Sequence, residues 1–341
     1  MSRHWAPACA GATRWVAGAT RWIAGATGLV AGAALLAACA TPGVAPDRFT
    51  FAVLGDMGYS AAEEPQYAET LRRIDAASPA FAVHVGDFKG SGECSDAIFQ
   101  LRRAQFDALS IPLVFTPGDN EWTECRLRRM GSMDALERLG RLREIFFSTP
   151  ASLGGRPMPT AAQSTCIASS HNCGCAPHPE NRRWSHGRVV FVTLNIPAAN
   201  NNVGFDAASD EEARCRNAAN REWLEAAAVQ SMGERVRALV VIAHANPWET
   251  GAAKRTPVYD GFLEQMAALP GRVRKPILFI HGDTHTFRVT DFLDTRGQKV
   301  HGITRMETHG TPAIGWVRVS VDADRPDPFR FDAKIVAMAR G

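Results

Sequence analysis

Four times in this 341-residue chain an apolar, β-prone run ends in Gly-Asp. Phe49–Leu54 leads into Gly55-Asp56, Ala80–Val85 into Gly86-Asp87, Ile111–Thr116 into Pro117-Gly118-Asp119, and Pro276–Ile280 into His281-Gly282-Asp283. A related run, Arg237–Ala243, ends in His244. Near-continuous apolar runs of this length read as buried parallel strands. Helical spacing separates the first three, around Tyr67–Ala77 and Ala97–Leu109. Asp56 and Asp87 are 31 positions apart, and Asp87 and Asp119 are 32. That is the length of a βαβ unit, ~30 residues. The chain therefore opens strand, helix, strand, helix, strand, in an α/β layout.

Farther on, Met133–Phe147 and Glu211–Gln230 read as helices and Arg188–Leu194 as a strand. Residues 150–186 are rich in Pro, Gly, Cys and His and read as a long insertion. From Thr286 onward, apolar and polar residues alternate, as in antiparallel strands exposed on one face. With 45% hydrophobic residues there is ample material for a core, and no domain boundary is visible inside 49–341.

The first 38 residues read as a signal peptide of the lipoprotein type. Basic residues up to Arg21 precede the apolar run Trp22–Ala38, and Leu36-Ala37-Ala38-Cys39 is a small-residue cleavage pattern ending in Cys. Cys39 would carry a lipid, residues 39–48 would form a tether, and the domain would be exported to the periplasm or cell envelope. The run is too short and too rich in Gly and Ala to favour a permanent span. A seven-residue repeat beginning at Gly11, Gly18 and Gly25 has no functional account. Arg3, Arg14 and Arg21 precede the first acidic residue and make up the whole formal excess of +3. The remainder is balanced, so nothing indicates nucleic acid.

A single Gly-Asp after a strand is ordinarily structural: Gly makes the turn and Asp caps the next element. Four after buried strands are harder to explain that way. The carboxyl ends of parallel strands share one edge, where open α/β folds bind ligands. If the strands are neighbours, Asp56, Asp87, Asp119 and Asp283 meet there, joined by His244 and His285. Clustered carboxylates repel and are costly to bury, and divalent cations resolve the conflict. Four Asp and two His suit two divalent metal ions.

Order, spacing and strand context together resemble the calcineurin-like metallophosphoesterases, across nearly all of 49–341. The matching blocks are Gly55-Asp56-Met57-Gly58, Gly86-Asp87, Gly118-Asp119-Asn120-Glu121, His244, and Gly282-Asp283-Thr284-His285. The resemblance implies a four-layer α/β/β/α sandwich with mixed sheets. It also implies Asp87 bridging two metals, Asp56 and His285 on one, and Asp119, His244 and Asp283 on the other. It implies hydrolysis of phosphate mono- or diesters by metal-activated water, with a small phosphate ester as substrate.

Three departures qualify this. Gly58 stands where many members have a His ligand. The purple acid phosphatases share that Gly but add a Tyr three residues after the second Asp; here that position is Gly90. Asp119 and Asp283 replace a ligating Asn and His, giving a harder, more anionic site that favours Mn, Fe or Mg over Zn. Asn120 stands where the family's catalytic His handles the leaving group. His281 or Lys89 could substitute, although a strand-end His281 is also expected to be structural, and His84 reads as core. Arg288 reads equally as a phosphate contact or a solvated side chain. Two functions fit: the hydrolase, and a catalytically weak or inactive envelope protein that binds metal or phosphate. A purely structural envelope role leaves the carboxylates unexplained.

Setting aside Cys9 in the leader and Cys39, the lipid candidate, six cysteines remain. In an oxidising compartment an even number suggests disulfides. Cys94 and Cys125 follow Asp87 and Asp119 by seven and six residues, so a Cys94–Cys125 bridge is expected if those strands are neighbours. Cys166, Cys173, Cys175 and Cys215 would form two more, or a small zinc site with His171 and His178.

Overall fold

The computed structural model describes residues 46–164, 177–248 and 257–339. The expected signal peptide, the expected lipid site Cys39, most of the expected tether, His171, Cys166, Cys173 and Cys175 lie outside them. In chain order the elements are β1 (Arg48–Leu54), α1 (Glu64–Ala77), β2 (Ala82–His84), α2 (Asp96–Asp107), β3 (Leu113–Phe115) and α3 (Ala135–Phe146). Then come β4 (Ala161–Gln163), β5 (His178–His186), β6 (Val189–Thr193), α4 (Ala207–Ser231), β7 (Ala238–Ile242) and α5 (Asp260–Val273). The last are β8 (Ile277–His281), β9 (Arg288–Leu293), β10 (Lys299–Glu307), β11 (Ala313–Asp322) and β12 (Phe329–Met338). Among the described residues no helix is long and apolar enough to cross a membrane.

Two mixed sheets organise these elements. One runs β12-β11-β1-β2-β3, the other β4-β5-β6-β7-β8-β10-β9. β1, β2 and β3 are parallel neighbours, with Ala52 opposite Ala82 and Ala82 opposite Leu113. β6, β7 and β8 are likewise parallel, while β11 runs antiparallel to β1. Alternation along each strand decides which face goes where. Phe51, Val53, Phe81 and Val83 share one buried cluster with Trp184, Phe191, Val240, Ile242 and Leu278 from the other sheet. Phe191 stacks on Trp184 and meets Phe51 and Phe81 edge-on, at ring separations of 5.1, 5.5 and 5.2 Å. Ala52, Leu54 and Phe115 point the opposite way, toward Leu71 and Ile74 of α1, Phe99 and Phe106 of α2 and Leu139 of α3. Val190, Val192, Leu239 and Val241 do the same toward α4 and α5.

The first helices start where local chemistry allows. α1 has Pro65 in its first turn, where a missing N–H costs nothing, and Asp134 accepts a bond from the Glu137 N–H at the start of α3. Two elements run against their composition. The insertion read at 150–186 ends in the nine-residue β5, whose sequence HPENRRWSH looks like loop. Buried partners make it a strand: Asn181 donates to Gln163 and Asn220, and Glu180 receives Arg143 and Asn195. α5 contains Gly261, Pro270 and Gly271, yet Leu263, Met266, Leu269 and Val273 form a buried stripe at helical spacing.

A disulfide joins Cys94 and Cys125 between the loops that leave β2 and β3. Cys215 is disulfide-bonded as well.

Candidate metal centre

Asp56 lies two residues past β1, Asp87 three past β2, Asp119 four past β3, His244 two past β7, and Asp283 two past β8. The expected single sheet edge is in fact two: three carboxylates come from the first sheet, and His244, Asp283 and His285 come from the second. Because the sheets pack face to face, the ends of β1–β3 and of β7–β8 open into one place. Two groups of donor atoms lie within 4.8 Å of one another: Asp56, Asp87 and His244, and Asp119, His244 and Asp283. His285 stands at the rim of the first, its Nε2 3.8 Å from Asp56 Oδ1.

The backbone makes this convergence at a cost. Asp56, Asp87, Asp283 and His285 have φ of 55°, 56°, 81° and 61°. The left-handed region costs an L-residue about 1–2 kcal/mol, and such strain gathers at functional sites. The Gly of each Gly-Asp pair lets backbone approach carboxylate. A Cβ on Gly118 would fall 2.1 Å from Asp87 Oδ1, and one on Gly282 2.2 Å from Asp56 Oδ2.

Three of the four carboxylates are aimed by a backbone N–H from another loop. Asp283 N–H donates to Asp56 Oδ1 at 2.9 Å, Asn120 N–H to Asp87 Oδ1 at 3.0 Å, and Asn246 N–H to Asp283 Oδ2 at 3.0 Å. Both histidines are oriented the same way. His244 Nδ1 meets the Val85 carbonyl at 2.8 Å, and His285 Nδ1 meets that of Thr311 at 2.7 Å. As Nδ1–H donors they present Nε2 as a lone pair, the arrangement of a metal-ligating imidazole. His244 Nε2 sits 3.3 Å from Asp119 Oδ1 and 3.5 Å from Asp87 Oδ1.

The electrostatics are those of a buried acidic cluster that could hold a cation. Burial pushes Asp56 from 3.8 up to about 8, with His244 and the Asp283 N–H pulling the other way. Burial likewise raises Asp283 to about 7 and holds Asp87 well above the carboxylate range. Burial opposes charge on His244, but Asp87, Asp119 and Asp56 overcome it and raise its pKa well above the usual value. Two buried atoms of the cluster lack hydrogen-bond partners: Asp56 Oδ2 and His244 Nε2. An unpaired carboxylate oxygen and an imidazole nitrogen faced only by the carboxylates of Asp119 and Asp87 fit a site for metal ions. With oxygen donors in the majority, hard or borderline divalent ions suit the set.

The remaining candidates lie around the cluster rather than in it. Asn120 donates its side-chain amide to the Lys89 carbonyl, so its contact with the cluster is through its backbone. Lys89 Nζ is buried against the Gly90 carbonyl and Met130 Sδ. His281 is fully buried in another network. Its Nδ1 meets the Gly282 carbonyl, and its Nε2 accepts from Arg305, which also reaches Glu307. Burial and then Arg305 hold its pKa well below normal, leaving it neutral. Arg288 pairs with Glu307 at 3.0 Å. His84 is buried between Tyr67 and the Gly86 N–H, holding the second Gly-Asp turn.

Four features escaped the sequence. Glu121, wholly buried, accepts the backbone N–H groups of Asp87, Phe88 and Gly118. It welds the second and third turns together. Replacing Glu121 by Ala leaves three buried donors unsatisfied and is expected to cost about 3–5 kcal/mol. Chemical denaturation measures this, and a loss below about 1 kcal/mol would contradict the role. The loop after β10 is the second feature: Thr311 N–H donates to the Asp56 carbonyl and Gly310 N–H to that of His285. Glu63 is the third, accepting from Tyr59 N–H and Thr311 Oγ1. Tyr59 is the fourth. Its hydroxyl donates to Asp87 Oδ2 at 3.0 Å and lies 3.1 Å from His285 Nε2. Only the Asp-x-Gly block beside it gave a signal.

Compared with known proteins, the chain matches no family model and no curated protein.

Proposed function

We propose that this chain is a metal-dependent phosphoesterase of the calcineurin-like metallophosphoesterase type, its two sheets and flanking helices forming that family's α/β/β/α sandwich. The observation that carries the reading is the convergence of Asp56, Asp87, Asp119, His244, Asp283 and His285, with Asp56 Oδ2 left without a hydrogen-bond partner and His244 Nε2 facing Asp119 and Asp87. Asp87, whose Oδ1 lies 3.5 Å from the His244 Nε2 that both donor groups share, would bridge two divalent ions, with Mn, Fe or Mg favoured over Zn. Bound there, the ions would activate a water for in-line attack on a phosphate ester and offset charge on the phosphoryl oxygens. The chain's own part is positional. Asn120, Asn246 and Asp283 N–H groups fix the carboxylate oxygens, and the Val85 and Thr311 carbonyls fix the histidine tautomers.

One observation favours a second reading, a weak or inactive member that binds metal or phosphate. Asn120 cannot supply a proton, and His281, engaged by Arg305, is not poised to do so. The first reading also places the domain outside the cytoplasm, held by a lipid at Cys39. Turnover of mono- and diester substrates by metal-loaded mature protein tests the choice. Hydrolysis that needs added metal supports the enzyme; metal bound without turnover supports the second reading.

A further inference from the structure

A pocket of about 170 Å³ lies between α4 and α5 over the end of β6, and none of its lining residues belongs to the metal donor set. A cavity of about 150 Å³ holds benzene, so this one has room for a single six-membered ring with a small substituent. Leu194, Ile196, Val258 and Phe262 give it apolar walls. Tyr259 adds a ring rather than a polar group, because its hydroxyl is bonded to the Pro197 carbonyl at 3.1 Å. Walls of this kind take the faces of a flat ring.

A strained turn sets one polar group of the pocket. Ala199, Asn200, Asn201 and Asn202 have φ of 46°, 56°, 53° and 64°. L-residues enter the left-handed region singly, not in runs, and such strain persists only where its surroundings hold it. Arg216, wholly buried, does the holding. It donates to Asn201 Oδ1 at 2.7 Å, to the Asn201 carbonyl at 3.0 Å and to the Asn195 carbonyl at 3.1 Å. With its oxygen taken, Asn201 points its amide nitrogen at Asn217 Oδ1, 3.1 Å away. Asn217 then has only its side-chain N–H groups to offer, and among the described residues these meet no acceptor.

Arg221 is a second donor. It reaches from α4 to Gly261 at the start of α5, where the absent side chain makes room: a Cβ there would fall 3.0 Å from Arg221 Nη2. Elsewhere on α4, Arg214 pairs with Glu211 and Arg216 with Glu212, whereas Arg221 meets no carboxylate among the described residues. A guanidinium and an amide N–H beside an apolar slot suit a ring that carries a carboxylate, which accepts from both. We propose that this pocket is a second ligand site, separate from the metal centre, for a monocyclic aromatic carboxylate. Its ring lies among Leu194, Ile196 and Phe262, and its carboxylate meets Arg221 and Asn217.

Benzoate is the probe, titrated into the metal-free mature protein so that no bound ion competes for the carboxylate. Ligand-observed NMR should give saturable binding, at least tenfold tighter than that of benzyl alcohol, which keeps the ring and lacks the charge. Arg221→Gln should weaken benzoate at least tenfold and leave benzyl alcohol nearly unchanged. Arg214→Gln, on the same helix, should change neither. Both arginines are exposed, so both variants should melt with the wild type. No saturable benzoate binding, equal affinity for benzyl alcohol, an unchanged benzoate affinity in Arg221→Gln, or the same loss in both arginine variants overturns the proposal. Each of these outcomes leaves the metal-centre reading intact.

Discussion

Asp87→Ala is expected to reduce metal content from two ions per chain to one or none and to cut ester hydrolysis about a thousandfold, the upper end for losing one electrostatic stabiliser. Asp87 touches both halves of the centre. Its Oδ1 lies 3.5 Å from His244 Nε2, and its Oδ2 accepts from Tyr59. The same substitution should do little harm to the metal-free fold. Burial above all opposes charge on Asp87; His244, the largest of the neighbouring charges, favours it, while Asp119, Glu121 and Asp56 oppose it. Removing a buried group held in that state relieves repulsion and sacrifices the bonds from Asn120 N–H and the Tyr59 hydroxyl. The contrast is the test. Wild type with metal at about a hundred times Kd gains about 2.7 kcal/mol; Asp87→Ala gains little. Elemental analysis with thermal melts, with and without Mn(II), measures both. A variant that keeps two ions, or that unfolds whatever the metal, would contradict the bridging role.

The second large effect is on pH. In the metal-free protein Asp56 keeps its proton up to about pH 8, whereas the unfolded chain loses it near 3.8. Asp283 behaves likewise up to about 7. Between those limits the folded state binds more protons than the unfolded, so stability falls as pH rises. His244 acts in the same direction. Its pKa is raised in the fold, so its contribution is full in acid and is lost as pH climbs through the folded value. Metal binding must displace these protons, so affinity rises over the same interval. The metal-free protein should therefore melt lower at about pH 8 than at about pH 5, and the increment from metal should widen. Melting curves across that range check the sign. A metal-free protein that gains stability toward pH 8 would contradict the buried, protonated cluster.

Local rules reach only as far as adjacent residues, and that sets how much of the fold and the centre was legible in the sequence. The Gly-Asp pairs were visible because the turn chemistry is encoded in neighbouring positions and the apolar runs before them are strongly patterned. The Cys94–Cys125 bridge was visible because it depends on two neighbouring turns. The assembly of the centre from two sheets was not, since pairing of β7 and β8 away from β1–β3 is a tertiary choice. β5 was hidden because its polar residues look solvated until Glu180 and Asn181 find buried partners. α5 was hidden because Pro270 and two glycines outweigh a four-residue apolar stripe. Tyr59 and Glu121 were overlooked for a similar reason. Glu121 looked like one more residue of a turn, yet it receives N–H groups from 33 and 34 positions away. The sequence directs attention to Gly90 as a missing phenol; folded, Gly90 is the space that Tyr59 occupies.

Anomalous diffraction from crystals of the mature domain grown with Mn(II) tests the two-metal centre most directly. Two peaks are expected about 3.5–4 Å apart, on either side of the Asp87 carboxylate. One should lie against Asp56 and His285, the other against Asp119, His244 and Asp283. No peak among these residues at saturating metal, or ions bound only elsewhere on the surface, would contradict it.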